Sequence, residues 1–279
     1  MNLVEESERD AEKKEIIKNI SPLRYPGGKT RACKVLDSIL KEEFDLSVFN
    51  NIVSPFFGGG SFEFHIQNNY GLKIIANDKF KPLYSFWNIC KCNKDKLCKK
   101  LYKYIDNVDK SIFSNFRSQV MEEDNLNQSI MYFIINRCSF SGATLSGGFS
   151  LEASKKRFTK SSIDKIKKLN LVKFEIYNLD FEEFINSTYS LNNLLFLDPP
   201  YYLEKKSKLY GNNGDMHETF DHDKLYKCIS KKVNWIMTYN NCDYIKNLYK
   251  DFKIIETRWS YGMNKSKKSS EIVIIGKGV

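Results

Sequence analysis

The residues Asp198, Pro199, Pro200 and Tyr201 bring together groups that could do chemistry on a flat ring carrying an amino group. Asp198 supplies a carboxylate, and the two prolines have fixed φ angles and no N–H, so their carbonyls can point into a pocket. Two such acceptors beside the aromatic face of Tyr201 suit the exocyclic amino group of a stacked base. A strand-ending turn is the simpler alternative, and it would be preferred for Asp-Pro alone. The complete sequence Asp-Pro-Pro-Tyr directly after an apolar run is more specific, and it favours a catalytic site.

The element that must position this site is the apolar run Leu194–Leu197, which predicts a short strand buried on both faces. Asp198 would then leave the sheet at the carboxyl end of that strand, where open α/β sheets bind their ligands. Further strands are predicted around 51–54, 72–78, 174–179 and 235–240. The last two apolar runs, 254–259 and 271–275, predict an antiparallel hairpin at the edge of the sheet.

Two of these predicted strands end in residues that suit a cofactor. Gly58, Gly59 and Gly60 follow the first strand, and glycines let the backbone pass close to a ligand. Asp78 ends the next strand, where an acid can accept hydrogen bonds from ribose hydroxyl groups. Capping of the following helix is the alternative role for Asp78. The glycine turn upstream favours ribose binding.

The composition favours a basic protein with a polyanionic partner. The chain has 279 residues, 42% of them hydrophobic, with 44 Lys and Arg against 34 Asp and Glu, a formal net charge of +10. Nucleic acid is the first candidate for such a partner. No apolar stretch approaches the length of a membrane helix, and the seven scattered cysteines suggest reduced thiols in a cytosol. The cluster Cys90, Cys92 and Cys98 lacks zinc-site spacing, so no metal is expected.

Residues 91–170 differ in character from the rest of the chain. The stretch 91–110 is rich in lysine and tyrosine and predicts a helix, as does Gln128–Asn136. A glycine and serine loop follows at 137–149, and then the basic cluster Lys155–Lys160. A loop flanked by cations suits DNA, because lysine and arginine neutralise phosphates. A solvated insertion is the alternative.

Three motifs carry a resemblance to a known family. Asp198–Tyr201 resembles the catalytic tetrapeptide of amino-methyltransferases, which transfer a methyl group from S-adenosylmethionine to a base nitrogen. Tyr25–Lys29 is similar to the aromatic-x-Gly-Gly-Lys motif of the DNA adenine methyltransferases, and Phe56–Gly60 to their Phe-x-Gly-x-Gly motif. The order of cofactor motifs, insertion and catalytic strand resembles the α group, and most closely the Dam-like D12 class of DNA adenine-N6 methyltransferases. The resemblance covers nearly the whole chain after residue 20.

The resemblance implies an α/β fold: a doubly wound, Rossmann-like methyltransferase sheet, mostly parallel, with an antiparallel C-terminal hairpin. It also implies an inserted, largely helical subdomain for target recognition. We therefore expect an N-terminal extension at 1–20, an S-adenosylmethionine-binding catalytic domain at 21–90 and 171–279, and a DNA target-recognition region at 91–170.

Residue roles follow from the same resemblance. Asp180 would accept the adenine amino group of the cofactor and Phe181 would cover its ring, with helix capping by Asp180 as the alternative. Ser54 stands where the family frequently has an acidic residue. The implied catalytic residues are Asp198, Pro199, Pro200 and Tyr201. The implied cofactor contacts are Tyr25, Lys29, Phe57, Gly58, Gly60, Asp78, Asp180, Phe181 and Asp198. The implied DNA contacts are Arg137, Ser141, Lys155, Lys156 and Arg157.

The predicted function is methyl transfer from S-adenosylmethionine to N6 of a flipped adenine in double-stranded DNA, with the segment 203–220 as a flap over the base. A restriction endonuclease is a possible partner by resemblance, and the expected location is a bacterial, phage or viral host cytoplasm. Cytosine-N4 methylation, RNA adenine methylation and non-catalytic DNA binding on the same fold remain alternatives. A two-metal nuclease is disfavoured, since few carboxylates cluster away from the cofactor positions.

Overall fold

The computed structural model describes residues 18–140, 145–202, 220–260 and 268–278. The predicted 1–20 extension, Ser141 and the predicted flap lie largely or wholly outside these residues. The described chain forms one seven-stranded sheet in the order β3-β2-β1-β4-β5-β7-β6. The strands are β1 (Asn51–Ser54), β2 (Lys73–Asn77), β3 (Phe174–Tyr177), β4 (Asn193–Leu197), β5 (Trp235–Asn240), β6 (Lys253–Ser260) and β7 (Lys268–Gly276).

The first five strands of the sheet are parallel, and β7 runs antiparallel to both β5 and β6. This arrangement confirms the predicted mostly parallel sheet with its antiparallel hairpin. The chain passes from β1 outward to β2 on one side, whereas β4 lies on the other side of β1. Such a switch in direction opens a crevice at the carboxyl ends of the two central strands. Both β1 and β4 end at residues predicted to act there.

Helices cover both faces of the sheet, as a parallel sheet requires. They are α1 (Cys33–Glu43), α2 (Ser61–Tyr70), α3 (Lys81–Cys92), α4 (Lys94–Tyr102), α5 (Lys110–Gln119), α6 (Asn125–Cys138), α7 (Leu151–Arg157), α8 (Lys160–Lys167), α9 (Phe181–Thr188), α10 (His222–Ile229) and α11 (Asp243–Leu248). None of the described helices is long and apolar enough to cross a lipid bilayer.

The strand β4 shows how the two faces are filled. All five of its residues are buried, which confirms the predicted two-sided burial. Leu194 and Phe196 pack into the core cluster with α1, α2 and α3, while Leu195 and Leu197 pack into the cluster with α9, α10 and α11. Alternation of side chains along a strand accounts for this division.

The segment 91–170 is largely helical, as predicted, and it packs against the rest of the chain. The helix α6 lies along α3, and the rings of Phe86 and Phe133 stack with their centroids 5.6 Å apart. Gln128–Asn136, predicted as a helix, forms the buried middle of α6. The segment therefore shares one hydrophobic core with a face of the sheet.

The stretch 91–110, which was predicted to be helical, is helical only in part. The helix α3 ends at Cys92, α4 begins at Lys94 and ends at Tyr102, and a turn follows in which Asp106 has φ +62°. Aspartate and asparagine adopt the left-handed region more readily than other side chains, so Asp106 accommodates the turn. Asp109 then caps α5 by accepting a hydrogen bond from the Ile112 N–H, which starts a new helix instead of extending the old one.

Candidate active site

Asp198 lies where the sequence predicts, directly after β4 at the carboxyl edge of the sheet. Its Oδ1 is 2.7 Å from Lys29 Nζ and accepts a hydrogen bond from Thr238 Oγ1 at 2.7 Å. Its Oδ2 accepts a second bond from Lys29 Nζ at 2.8 Å. Thr238 belongs to the neighbouring strand β5, so the carboxylate is held from two sides. Its side chain remains 22% exposed, which leaves it open to a ligand.

Lys29 reaches Asp198 from the turn that precedes α1. Gly27 has φ +70°, and the Gly28 N–H bonds the Tyr25 carbonyl at 3.0 Å, closing a tight turn that aims the lysine inward. The Lys29 side chain is only 4% exposed, and its Nζ also donates to the Gly27 carbonyl at 3.0 Å. The sequence predicted that Lys29 approaches the pocket. Its ion pair with Asp198 is a contact that sequence spacing could not reveal, because 169 residues separate the two.

Tyr201 stands beside this ion pair as a half-buried ring. Lys29 Nζ lies 5.1 Å from the centre of the ring, a cation–π distance. The Tyr201 hydroxyl donates to Glu271 Oε2 at 2.7 Å, and the ring packs against Tyr239 at 5.8 Å between centroids. Pro199 is buried, whereas Asp198, Pro200 and Tyr201 are partly exposed. Lys29 contacts both the carboxylate and the ring, so it joins the two ends of the predicted catalytic tetrapeptide.

The glycine turn after β1 packs directly against Tyr25. Gly58 has φ +52°, and a Cβ there would lie 2.7 Å from Tyr25 Cε1, so both its conformation and its space require glycine. Gly60, at φ +66°, is the N-cap of α2. The Phe57 ring is 3% exposed and packs among Phe64, Trp87 and Phe174. Phe57, predicted as a cofactor contact, therefore lies in the core, and contact of its ring with a cofactor stays a prediction.

Asp78 fastens the same turn from β2. Its Oδ2 accepts the Gly58 N–H at 3.0 Å and its Oδ1 accepts the Phe80 N–H at 2.9 Å. Burial raises the pKa of Asp78 to about 6, against the two N–H bonds that lower it. The N-cap of α3 is Phe80, so the capping alternative for Asp78 is wrong. Ribose binding stays a prediction, to which the structure adds the role of tying two strand ends together.

A buried hydrogen bond joins Ser54 at the end of β1 to Glu63 in the first turn of α2, and sequence reasoning missed it. Ser54 Oγ donates to Glu63 Oε1 at 2.6 Å, and both side chains are buried. Burial raises the pKa of Glu63 to about 8, opposed by the Ser54 bond, while the charge of Asp198 raises it further and that of Lys29 lowers it. The available signal was Ser54 itself, which stands where the family frequently has an acid. A carboxyl group is present beside this position all the same, because Glu63 of α2 accepts the Ser54 hydrogen bond.

Comparison with known proteins decides the family. Residues 25–263 match the D12 class N6 adenine-specific DNA methyltransferase family. The chain belongs to this family. It is an adenine-specific DNA methyltransferase, and DNA is its substrate.

Two characterised relatives resemble this methyltransferase over most of their length. It is 23% identical over 258 residues to the Type II methyltransferase M.MjaIII of Methanocaldococcus jannaschii, which spans 83% of this chain and 88% of that relative. It is also 23% identical over 257 residues to the Type II methyltransferase M.CviBI of Paramecium bursaria Chlorella virus NC1A, covering 90% and 95% respectively.

Asp180 caps α9 of the methyltransferase, so the alternative role that the sequence allowed is present. Its side chain accepts the Glu182 N–H at 3.2 Å and pairs with Lys79 at 3.1 Å and Lys224 at 3.3 Å. Partial burial acts to raise the pKa of Asp180, but these three hydrogen bonds together lower it. Binding of the cofactor adenine by Asp180 stays a prediction. It would compete with two lysines for the same oxygens.

Phe181 begins an aromatic surface next to Asp180. Its ring packs against Phe220 at 5.4 Å and Phe56 at 5.7 Å, and Lys224 Nζ lies 5.3 Å from its centre. These rings meet at the carboxyl edge of the sheet. Phe181 itself is 7% exposed, and covering of the cofactor adenine by its ring stays a prediction.

The predicted DNA-binding residues separate into a half-buried arginine and a helix with exposed lysines. Arg137 is half-buried and donates from Nε to the Arg157 carbonyl at 2.8 Å. Burial lowers the pKa of Arg137 to about 10, and the nearby guanidinium groups of Arg24 and Arg157 lower it further. Lys155 and Lys156 are exposed on α7. Ser141 lies outside the described residues, and none of the described His, Cys, Asp and Glu side chains cluster as a metal site.

Proposed function

We propose that the methyl donor is S-adenosylmethionine and that it binds in the crevice at the carboxyl ends of β1, β2 and β4. The support is the glycine turn, whose close approach to Tyr25 leaves room only for backbone, together with Asp78 and Asp180 at the ends of neighbouring strands. Carboxylates and glycine backbone at strand ends suit ribose hydroxyl groups and an ammonium group. These residues fit the cofactor, which supplies an electrophilic methyl group on its sulfonium.

The observation that carries the proposal is Asp198, fixed by Lys29 and Thr238 at the carboxyl edge beside that crevice. A carboxylate paired with an ammonium accepts hydrogen bonds and donates none. We propose that Asp198 and a carbonyl of Pro199 or Pro200 accept the two N–H bonds of the adenine amino group. Those bonds would localise the nitrogen lone pair, which is otherwise delocalised into the ring. The rate gain would come from positioning and charge placement.

The target base would leave the duplex and stack on Tyr201. A base inside a DNA stack is out of reach of an active site, so enzymes that modify it extrude it. Tyr201 offers a half-buried ring next to Asp198, and the formal net charge of +10 favours the phosphate backbone. The segment 91–170, with Lys155 and Lys156 exposed on α7, would recognise the target sequence.

The cellular role is proposed from the relatives. Both are named Type II methyltransferases, which supports a restriction-modification role and a cognate endonuclease as partner. A methyltransferase acting on DNA in this role would work in the cytoplasm of a bacterial, archaeal or virus-infected host cell.

The deciding experiment is methyl transfer from labelled S-adenosylmethionine to unmethylated genomic DNA, followed by nucleoside analysis. We expect labelled N6-methyladenine from the wild-type protein and none from Asp198→Ala, which should still bind DNA. Asp243→Ala, an exposed acid on α11, is the matched control and should keep full activity. Label in N4-methylcytosine, or full turnover by Asp198→Ala, would refute the proposal.

A further inference from the structure

The hydroxyl end of Tyr201 is held by a residue far along the chain. Tyr201 follows β4, whereas Glu271 lies on β7, 70 residues later. Their hydrogen bond of 2.7 Å joins the last residue of the catalytic tetrapeptide to the hairpin that closes the sheet. The hairpin therefore contributes a side chain to the active site.

Glu271 is buried, and strands on both sides hold its backbone in place. It is 1% exposed, and its backbone pairs with Asn240 of β5 on one side and Thr257 of β6 on the other. Thr257 Oγ1 also donates to the Glu271 carbonyl at 3.1 Å. Residues 271–275 are all buried, and Glu271 is the only charged side chain among these five. Burying a carboxylate is costly unless a partner donates hydrogen bonds to it or carries the opposite charge.

The position of Glu271 coincides with the active-site edge of the sheet. Asn240, opposite it, is the last residue of β5, and its Nδ2 donates to the Tyr202 carbonyl at 2.8 Å. One hydrogen bond thus fixes the tyrosine side chain and another fixes the backbone directly after it. Without the first, the half-buried ring of Tyr201 could turn about its χ1 bond.

A carboxylate at the phenol also affects the other end of the ring. A hydrogen bond from the phenol to a carboxylate moves electron density into the ring and makes its face more negative. Lys29 Nζ lies 5.1 Å from the centre of that ring and pairs with Asp198. The contacts run without interruption from Glu271 through Tyr201 and Lys29 to Asp198.

We propose that Glu271 is a positioning residue for methyl transfer, which holds the Tyr201 ring in the orientation that the target base stacks on. This inference rests on the proposed role of Tyr201 as that stacking surface. Glu271 would act through the tyrosine and would touch neither cofactor nor base. Loss of the hydrogen bond should reduce turnover and leave cofactor affinity unchanged.

The test is a double-mutant cycle on kcat with Tyr201→Phe and Glu271→Leu. Each change removes the hydrogen bond, and we expect each to lower kcat about tenfold, as for a lost bond to a charged group. The double variant should be no slower than the slower single variant. Glu271→Gln keeps an acceptor oxygen and should stay within about threefold of wild type. Glu256→Gln, an exposed acid on neighbouring β6, is the matched control and should match wild type.

Two further readouts separate positioning from stability. Fluorescence of 2-aminopurine at the target position should show weaker stacking in Tyr201→Phe, while the Kd for S-adenosylmethionine stays the same. Coupling between the two sites in thermal unfolding without coupling in kcat would mark a merely structural pair and overturn the proposal. So would a wild-type kcat in Tyr201→Phe, which decides the question even if Glu271→Leu fails to fold. A wild-type protein that methylates no DNA would instead overturn the proposed function, and this inference with it.

Discussion

Lys29 and Asp198 form an ion pair in which the lysine is almost fully buried. Removing one partner of such a pair leaves a desolvated charge behind, and this costs more than removing both. We expect Lys29→Gln to lower the free energy of unfolding by roughly 1–3 kcal/mol and to reduce turnover at least 100-fold.

Adding Asp198→Asn to Lys29→Gln should restore part of the lost stability, because the unpaired charge is gone. It should restore no activity. Denaturant unfolding and single-turnover methylation measure the two effects separately. A double variant less stable than Lys29→Gln would contradict this account of the pair.

Glu63 should give the protein a characteristic pH dependence. Burial raises its pKa from 4.5 to about 8, so between these pH values the folded protein binds a proton that the unfolded chain has lost. The free energy of unfolding must therefore fall as pH rises through this window. At about 1.4 kcal/mol for each pKa unit, the loss is on the order of 5 kcal/mol.

Glu63→Gln keeps the size and hydrogen bonding of the neutral acid and cannot ionise. Compared with wild type, we expect it to be nearly equally stable at pH 5 and clearly more stable at pH 8. Urea unfolding at pH 5, 6.5 and 8 measures the difference. Parallel curves for the two proteins would mean that Glu63 is ionised in the folded state.

At the scale of elements, the glycine turn between β1 and α2 offers a prediction. Its control is the glycine that follows the other end of α2. Gly58 and Gly71 both have positive φ, +52° and +72°, but a Cβ at Gly71 meets nothing within 4 Å, whereas one at Gly58 would collide with Tyr25. Alanine at Gly71 should cost only the strained backbone, about 1 kcal/mol. Alanine at Gly58 should cost roughly 1–3 kcal/mol more.

Displacement of Tyr25 should also make Gly58→Ala bind S-adenosylmethionine at least tenfold more weakly, since the turn lines the proposed crevice. Gly71→Ala should bind it normally. Thermal unfolding and calorimetric titration of the cofactor distinguish the two variants. Equal losses in both would show that the contact with Tyr25 has no role.

The elements themselves could be predicted from sequence wherever apolar periodicity and turn residues agreed. The run Leu194–Leu197 and residues 271–275 of β7 are examples, since their burial on both faces leaves a nearly continuous apolar pattern. The breaks within 91–110 could not be predicted, because its lysines and tyrosines suit a helix throughout, while the breaks depend on single residues such as Asp106. Local propensity carries little information about such breaks.

The candidate site could be predicted only in part, for a related reason. Asp198, Tyr201 and the glycine turn can be recognised from residue types and their spacing over a few positions. Glu63 cannot, because its bond to Ser54 depends on how α2 packs against β1. Thr238 and Glu271 cannot either, because the sheet brings each of them close to a partner 40 and 70 residues away. Ordinary residues gain these roles through tertiary contacts between distant segments.

At the scale of the whole molecule, the net charge of +10 predicts DNA binding that weakens steeply with salt. The logarithm of the binding constant should fall linearly with that of the salt concentration, with a slope of about 0.9 for each phosphate contact. Replacing Lys155, Lys156 and Arg157 of α7 by alanine should weaken binding and flatten this slope.

Replacing Lys231 and Lys250 by alanine is the control, since both are exposed and lie outside the segment 91–170. Fluorescence anisotropy of labelled duplex DNA between about 50 and 200 mM salt gives both slopes. An unchanged slope in the α7 variant would place the DNA elsewhere on the protein.

The sheet order has a consequence for how this chain is made. The strand β1 ends at Ser54, yet β4, which pairs with its free edge, begins only at Asn193. At a synthesis rate of about 5–20 residues per second, that edge waits roughly 7–28 seconds for its partner. Throughout that interval an apolar strand with unpaired backbone groups is open to other nascent chains. The position of the long helical segment between β2 and β3 thus sets a period of vulnerability during translation, which a chaperone would cover.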